Sequence, residues 1–152
     1  MNTVESNPQT PAVRGYVVGL IDEFFSRVDR AESVADLLEE DAEFTTPQRH
    51  AQGKDAVAKL LLSLADVRRE KGREARHFGG NVSIQRLDDG LYRVRSLVIV
   101  LALDRGEEDK GVLNMGDHDD LVKLYPDGTC RFVKRTMQPV FQFGLTPLGE
   151  SR

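Results

Sequence analysis

The sequence contains no tryptophan and a single cysteine, Cys130, among its 152 residues. One cysteine excludes an internal disulfide framework and a zinc site built from several cysteines. Basic residues are not in excess either: 21 lysines and arginines stand against 25 aspartates and glutamates, which gives a formal net charge of −4. This balance lacks the strongly basic character of nucleic-acid-binding proteins, so we expect no nucleic-acid partner.

Long apolar segments are missing as well. No apolar run reaches the ~18 residues that a membrane-spanning helix requires, so we predict no membrane partner. The first eleven residues, MNTVESNPQTP, are polar and hold two prolines, which is typical of a disordered arm rather than of a secretory signal. We predict a cytoplasmic protein with this arm over 1–11, one domain over 12–143 and a short tail over 144–152.

The first half of the sequence carries helical signals. Thr10 is typical of a helix N-cap and Pro11 of the first helical turn. Apolar residues then recur at the spacing of an amphipathic helix. Further along, Pro47 ends a short extended segment, and Gly72 is the expected stop of a later helix. The elements predicted here are helices over 11–29, 33–40 and 54–71 and a strand over 42–47.

The second half changes to the two-residue period of β-strands, with turn residues such as Pro126-Asp127-Gly128 between the runs. Three helices followed by an antiparallel meander indicate an α+β fold, in which the helices pack on one face of a curved sheet to form a cone. The mouth of such a cone is a natural apolar pocket that holds a few polar groups. Long strands are predicted over 75–87, 91–103, 112–125 and 129–143.

The segment Leu97–Leu103 is apolar at every position. A strand with one wetted face should alternate between apolar and polar residues, so both faces of this strand are expected to be covered. The helices cover one face. A partner subunit or the C-terminal tail covers the other, and the prevalence of closed two-fold assemblies favours a homodimer or higher homo-oligomer.

Asp29 is the first polar residue that the pattern places beside the apolar helix face. It follows Val28 and lies four residues after Phe25, at a helix end where the partial negative charge of the helix disfavours a carboxylate. A functional carboxylate is one interpretation. From the residues alone, a solvated helix-end residue beside Arg27 and Arg30 is the more ordinary one.

His77 is the second candidate, at the entry to the first long strand. Strand alternation places His77, Gly79 and Asn81 on one face of the sheet. The glycines Gly79 and Gly80 indicate a bulge or a close approach of another segment. Histidine is the side chain most easily tuned to exchange protons near neutral pH, but a hydrogen-bonded structural histidine is the more common case.

The run GDHDD at 116–120 invites comparison with a metal site. Neighbouring strand residues point to opposite faces, so His118 could share a site only with Asp120, and two ligands are too few for zinc. We therefore predict no metal, with His118 and Asp120 at the pocket rim. His50 lies in a polar connection and is expected to be exposed, and Cys130 is expected to be a small core residue rather than a nucleophile.

Taken together, these segments resemble the SnoaL-like branch of the nuclear transport factor two-like superfamily. The resemblance covers about residues 12 to 141, and it depends on the order of several motifs rather than on any one of them. These are RVDR at 27–30, LLEEDAEF at 37–44, QGKDAV at 52–57, RHFGGN at 76–81, Gly-x-His-x-Asp at 116–120 and DGTCRFVKR at 127–135.

The resemblance implies a cone-shaped α+β barrel, usually dimeric, with a deep apolar pocket and no metal or organic cofactor. In the dehydratase and dehydrochlorinase members, an aspartate at the end of helix one and a histidine entering the first long strand form a catalytic pair. Asp29 and His77 match these two positions. The resemblance therefore implies that they are the catalytic pair of this chain.

Some family positions differ here. The dehydratase pattern has a second pocket histidine on the next strand, where this chain is apolar around Val100–Ala102. Pocket tyrosines are replaced by Val28 and by the Phe44-Thr45-Thr46 stretch, and the family tyrosine of Gly-x-Tyr-x-Asp is His118. Scytalone itself is therefore not the expected substrate.

These features predict a cofactor-independent lyase that eliminates water or a halide from a small hydrophobic molecule, cyclic molecules included. His77 would remove a carbon-bound proton while Asp29 orients its ring. One alternative is an isomerase- or cyclase-like enzyme in which Asp29 or Asp120 is the base. Another is a dimeric module that only binds a small molecule. The predicted substrate-binding residues are Asn81, His118, Thr46, Phe25 and Asp120.

Overall fold

The computed structural model describes residues 11–104 and 110–145. The predicted arm up to residue 10, residues 105–109 and most of the predicted tail lie outside these ranges. The elements are α1 (Pro11–Arg30), a 3₁₀ turn (Ala35–Leu37), β1 (Leu38–Thr46), β2 (Arg49–Gln52), α2 (Lys54–Glu70), β3 (Arg73–Asp88), β4 (Leu91–Asp104), β5 (Lys110–Leu124) and β6 (Cys130–Leu145).

Helix α1 forms as the apolar spacing predicts. One face of the helix is buried and the other is exposed, so burial of the apolar stripe against the sheet stabilises the helix beyond its intrinsic propensity. Arg27 and Arg30 lie in the last turn, where positive charge is favourable. The buried stripe consists of Val17, Leu20, Ile21, Phe24, Phe25 and Val28.

The predicted helix over 33–40 is wrong. Only the 3₁₀ turn Ala35–Leu37 forms there, and Leu38 already has extended backbone angles as the first residue of β1. Leu38 pairs with Phe132 of β6 and is 3 % exposed. Pairing with a neighbouring strand therefore overrides the local helical spacing, and the described chain has two α-helices rather than three.

Strand β2 was not predicted from the sequence. It pairs antiparallel with β1 through a tight turn, with Thr46 opposite Arg49 and Thr45 opposite His50. Its four residues, RHAQ, are mostly exposed and do not alternate between apolar and polar side chains, so the sequence does not indicate a strand here. His50 is exposed as predicted, with 56 % of its side chain accessible.

The six strands form one curved sheet in the order β2-β1-β6-β5-β4-β3. All neighbours are antiparallel except β1 and β6, which run parallel. The pairing shifts register at several points, including Gly80–Ser83 in β3 and Leu121–Val122 in β5. Such bulges bend strands and increase their twist, which accounts for the curvature.

The core lies between the helices and the inner face of the sheet, where the inward residues of the four long strands meet the buried stripe of α1. Val94, Val98, Val122 and Phe132 are at most 3 % exposed there. The outer face of the sheet remains partly uncovered in the single chain, and Phe78 and other apolar residues are exposed on it. No helix within the described ranges is long and apolar enough to cross a membrane.

Candidate active site

Asp29 and His77 lie 48 residues apart in sequence and meet where the end of α1 packs against β3. Oδ1 of Asp29 is 2.6 Å from Nδ1 of His77, and Oδ2 accepts a 3.0 Å hydrogen bond from the backbone N–H of His77. The two side chains are only 13 % and 14 % exposed. The carboxylate therefore holds both the ring and the backbone of the histidine.

This geometry selects one tautomer of His77. An ionised carboxylate can only accept hydrogen bonds, so Nδ1 must carry the proton that Asp29 accepts. Nε2 then keeps its lone pair, and it has no hydrogen-bond partner among the described residues. The arrangement leaves Nε2 available as a proton acceptor, with Asp29 placed to stabilise the imidazolium that would form.

Phe25 and Gly79 set the position of the pair. The Phe25 ring stacks on the His77 ring at 5.4 Å between centroids with the planes 8° apart. A Cβ at Gly79 would lie 3.0 Å from both Ile21 Cγ2 and Phe25 Cε2, so only glycine fits here without a shift. The close approach predicted for the glycine pair therefore occurs at Gly79, and the predicted bulge follows Gly80.

His118 is buried in the interior, and it also forms part of the lining of the larger cavity described below. It is 5 % exposed, and its ring meets Phe25 edge-on at 5.8 Å. Burial, with the nearby Arg135 cation, lowers the pKa of His118 below its usual value near 6.5. Its Nδ1 lies 3.7 Å from Asp120, too far for a hydrogen bond, and has no partner within the described chain.

Asp120 also lies inward, but it is fully buried and paired with Arg135. The guanidinium donates to both carboxylate oxygens at 3.2 and 3.0 Å, and Arg135 is only 1 % exposed. Its charge also lies over the rings of Phe24 and Phe132, at 4.3 and 4.1 Å from their centroids. Asp120 is therefore an anchor for a buried cation and not a pocket-rim carboxylate.

Arg135 is the interior residue that the sequence reasoning missed. Strict alternation along β6 would put Phe132 and Arg135 on opposite faces of the sheet. The register shift between β5 and β6 leaves Val133 without a partner on β5 and turns both Phe132 and Arg135 inward. The one available signal was the position of an arginine in the DGTCRFVKR motif.

Three buried polar atoms of this interior lack hydrogen-bond partners in the described part of the chain. They are Nη1 of Arg135, Nδ1 of His118 and Oγ of Ser96, which lies directly opposite His118 on β4. Each residue is more than nine-tenths buried. Buried polar groups usually find partners, so these atoms mark where a polar atom of a ligand or a water would bind.

The structure places Thr46 in a turn, and it places Asn81 in the lining of the larger cavity together with Ser96 and His118. Thr46 Oγ1 accepts hydrogen bonds from the backbone of Gln48 and Arg49 in the turn between β1 and β2. Asn81 has a left-handed backbone, with φ of 50°, at the β3 bulge, and it is exposed. The bulge breaks the alternation that would have placed Asn81 on the His77 face.

The larger cavity has a volume of about 580 Å³ and is lined by residues of β3, β4, β5 and β6. Its lining includes Asn81, Leu97 and Asp119 together with the buried residues Ser96 and His118. A smaller cavity of about 180 Å³ adjoins the catalytic candidates, since Asp29 is part of its lining. Asp29 therefore adjoins the smaller cavity, whereas the unpartnered residues Ser96 and His118 adjoin the larger one.

Cys130 is a partly buried residue packed against the core, in agreement with the prediction. Burial raises the pKa of its thiol to about 12. A thiol with this pKa is protonated at neutral pH and is a poor nucleophile.

No family model matches the sequence, and no curated protein matches it. Several solved structures, in contrast, are similar to this chain. A scytalone dehydratase-like protein from Novosphingobium aromaticivorans aligns with a TM-score of 0.73 at 21 % identity, over 91 % of this chain and 95 % of that one. A LinA-type3 hexachlorocyclohexane dehydrochlorinase from Novosphingobium barchaimii aligns with a TM-score of 0.69 at 19 % identity, over 93 % and 96 %.

ActVI-ORFA from Streptomyces coelicolor is also similar, with a TM-score of 0.65 at 18 % identity over 84 % of this chain and 97 % of that one. At these identities the similarity shows the fold alone. The predicted α+β fold and the resemblance in fold to dehydratase and dehydrochlorinase proteins are thereby confirmed.

Proposed function

We propose that this protein is a cofactor-independent lyase acting on a small, largely hydrophobic molecule. The observation that carries the proposal is the double contact of Asp29 with His77, through Nδ1 at 2.6 Å and through the backbone N–H at 3.0 Å. It provides an oriented imidazole beside an apolar interior, with an Nε2 that has no hydrogen-bond partner among the described residues. The dehydratase and dehydrochlorinase names of two structural neighbours support the same reaction class.

In the proposed step, Nε2 of His77 removes a proton from a substrate carbon. The electron pair of that C–H bond forms a carbon–carbon double bond, and the bond to a hydroxyl or halide on the adjacent carbon breaks. The leaving group departs with that bond's electron pair, and the imidazolium is stabilised by Asp29. General-base catalysis of this kind contributes roughly 10²- to 10⁴-fold to the rate.

The unpartnered donors of the interior are suited to assist departure of the leaving group. Arg135 Nη1 and Ser96 Oγ can donate to an oxygen or halide on which negative charge develops. His118, neutral because its pKa is lowered, can donate or accept there. We propose these three residues, rather than Thr46, as the groups that position and polarise the substrate, with Asn81 beside two of them in the larger cavity.

The isomerase or cyclase alternative requires a carboxylate base. Asp120 has both oxygens bound by Arg135, and Asp29 has both oxygens bound by His77. A carboxylate whose oxygens already accept hydrogen bonds from donors is a weaker base. The geometry therefore favours His77 as the base over either aspartate.

The test is a panel of small cyclic β-hydroxy and β-halo compounds, followed by ultraviolet absorbance of the new double bond. We expect at least one compound to react, and we expect His77→Ala and Asp29→Asn each to lower the rate by roughly 10²- to 10⁴-fold with an unchanged fold by circular dichroism. His50→Ala, at an exposed histidine away from the pair, is the matched control and should keep full activity.

Equal rates in His77→Ala and the wild type would contradict the proposal. Saturable ligand binding without turnover, unaffected by either substitution, would instead support a module that only binds.

A further inference from the structure

Five arginines line the smaller cavity next to Asp29. They come from the end of α1, from α2 and from the start of β3, and only two acidic residues, Asp29 and Glu74, share the lining. The whole chain, in contrast, carries a formal net charge of −4. The arginines are Arg30, Arg68, Arg69, Arg73 and Arg76.

Arg68 is the central residue of this group. It is partly buried, and burial lowers the pKa of its guanidinium while the charge of Asp29 opposes that effect. Its only hydrogen bond within the described chain is a long one of 3.4 Å to the backbone carbonyl of Val28. No carboxylate of the described residues forms an ion pair with it.

A partly desolvated guanidinium without a carboxylate partner is unfavourable unless an anion compensates it. The charge of Asp29 acts on Arg68 from a distance, but the two residues form no ion pair, and the hydrogen bonds described for Asp29 come from His77. Other arginines of the group pair with exposed carboxylates. Glu32 accepts a hydrogen bond from Arg30, and Asp66 lies 3.7 Å from Arg69. Arg76 donates to the carbonyl of Ala75 but is exposed, so Arg68 is the partly buried member without a carboxylate partner among the described residues.

We infer that this cavity is a binding site for an oxyanion, a carboxylate or phosphate group of a small molecule, with Arg68 as its principal ligand. The planar guanidinium fork matches the two oxygens of either group. A volume of about 180 Å³ corresponds to roughly six water molecules, which suffices for one such group and a few further atoms. The inference does not depend on the proposed lyase activity, because it concerns binding alone.

The experiment is a titration of the full chain with inorganic phosphate and, separately, with succinate, at constant ionic strength. Binding is followed by isothermal calorimetry and by the backbone amide signals of Ala31, Ala65 and Ala75, which line the cavity. We expect saturable binding of at least one probe with these signals among the most shifted. The tighter probe identifies whether phosphate or carboxylate is the preferred group.

Arg68→Gln should weaken that binding by about tenfold or more, because a charge-assisted hydrogen bond is removed. Arg68→Lys keeps the charge but loses the fork, and we expect it to weaken binding less than Arg68→Gln does. Arg86→Gln is the matched control, since Arg86 pairs with Asp89 on an exposed turn away from the cavity.

Several results would overturn the inference. One is binding that is unsaturable or equally affected by Arg68→Gln and Arg86→Gln. Another is a pattern of shifts scattered over the surface without the cavity amides. If Arg68→Gln fails to fold, Arg68→Lys and Arg76→Gln carry the test, and unchanged phosphate and succinate binding in both would overturn it as well.

Discussion

His118 shows how burial of one side chain couples stability to pH. Its folded-state pKa is lowered, so the unfolded chain binds a proton at this residue in a range where the folded chain does not. The free energy of unfolding should therefore fall as the pH drops below about 6.5, with a slope of up to about 1.4 kcal/mol per pH unit from this group. Above that pH, His118 is neutral in both states and does not change the free energy of unfolding with pH.

Urea unfolding between pH 7.5 and 5.0 measures this slope. His118→Gln should flatten the curve between pH 6.5 and 5.0, whereas His50→Gln, at an exposed histidine, should leave it unchanged. Equal slopes in the wild type and His118→Gln would show that His118 is not the group responsible.

Asp120 and Asp119 are neighbours in sequence with opposite expected effects on stability. Asp120 is fully buried against Arg135, so Asp120→Asn leaves a buried cation without its counter-charge and should cost about 3–5 kcal/mol. Asp119 pairs with Arg93 at 2.8 Å on the outer face with 43 % of its side chain exposed, and Asp119→Asn should cost less than about 1 kcal/mol. Urea unfolding of the two variants compares them, and similar small losses would contradict the buried ion pair.

At the scale of elements, the contact between α1 and β3 sets the geometry of the candidate active site. Gly79→Ala places a methyl group 3.0 Å from Ile21 and Phe25, and we expect it to destabilise the fold by about 1–3 kcal/mol and to displace Phe25 from His77. Gly80→Ala meets nothing within 4 Å and should change stability by less than about 0.5 kcal/mol.

Thermal unfolding and the ring signals of Phe25 and His77 provide the readout for this pair of variants. Indistinguishable melting temperatures for Gly79→Ala and Gly80→Ala would mean that the helix and strand are not in close contact at Gly79.

The elements with strong periodicity were predictable from the sequence. Helix α1 follows its expected span because its apolar residues keep a helical spacing, and the four long strands follow theirs because extended runs are separated by clear turn residues. The segment 33–40 and strand β2 were not predictable, because β1 and β2 are specified by pairing with other strands rather than by their own residues.

The same contrast applies to the candidate site. Asp29 and His77 could be proposed from family resemblance, because their motifs are local. Arg135 and Asn81 could not be placed, since bulges in β6 and β3 change the face to which each side chain points. Bulges depend on how two strands pair, and a single strand's alternation does not reveal them.

For the whole molecule, the outer face of the sheet carries exposed apolar residues that a single chain leaves uncovered. Phe78 and Phe143 are 60 % and 53 % exposed there, and the apolar strand segment Leu97–Leu103 lies between them. Exposed apolar patches of this kind mark association surfaces. We expect a homo-oligomer in which this face is covered by another copy.

Light scattering after size-exclusion chromatography should give a mass that is a multiple of the chain mass. Phe78→Asp combined with Phe143→Asp should yield monomers, whereas Val67→Asp on exposed α2 should keep the oligomer. A wild-type protein that is monomeric at high micromolar concentration would contradict this expectation.

The central claim concerns the whole site: Asp29 fixes His77 in the tautomer that leaves Nε2 as a base. A long-range ¹H–¹⁵N correlation spectrum of the histidine rings tests it without any knowledge of the substrate. Above the range where the ring is protonated, we predict that His77 is present as the Nδ1–H tautomer in the wild type and loses that preference in Asp29→Asn, while exposed His50 is unaffected. A His77 ring in the Nε2–H tautomer, or one that gives the same spectrum with and without the Asp29 carboxylate, would contradict the account.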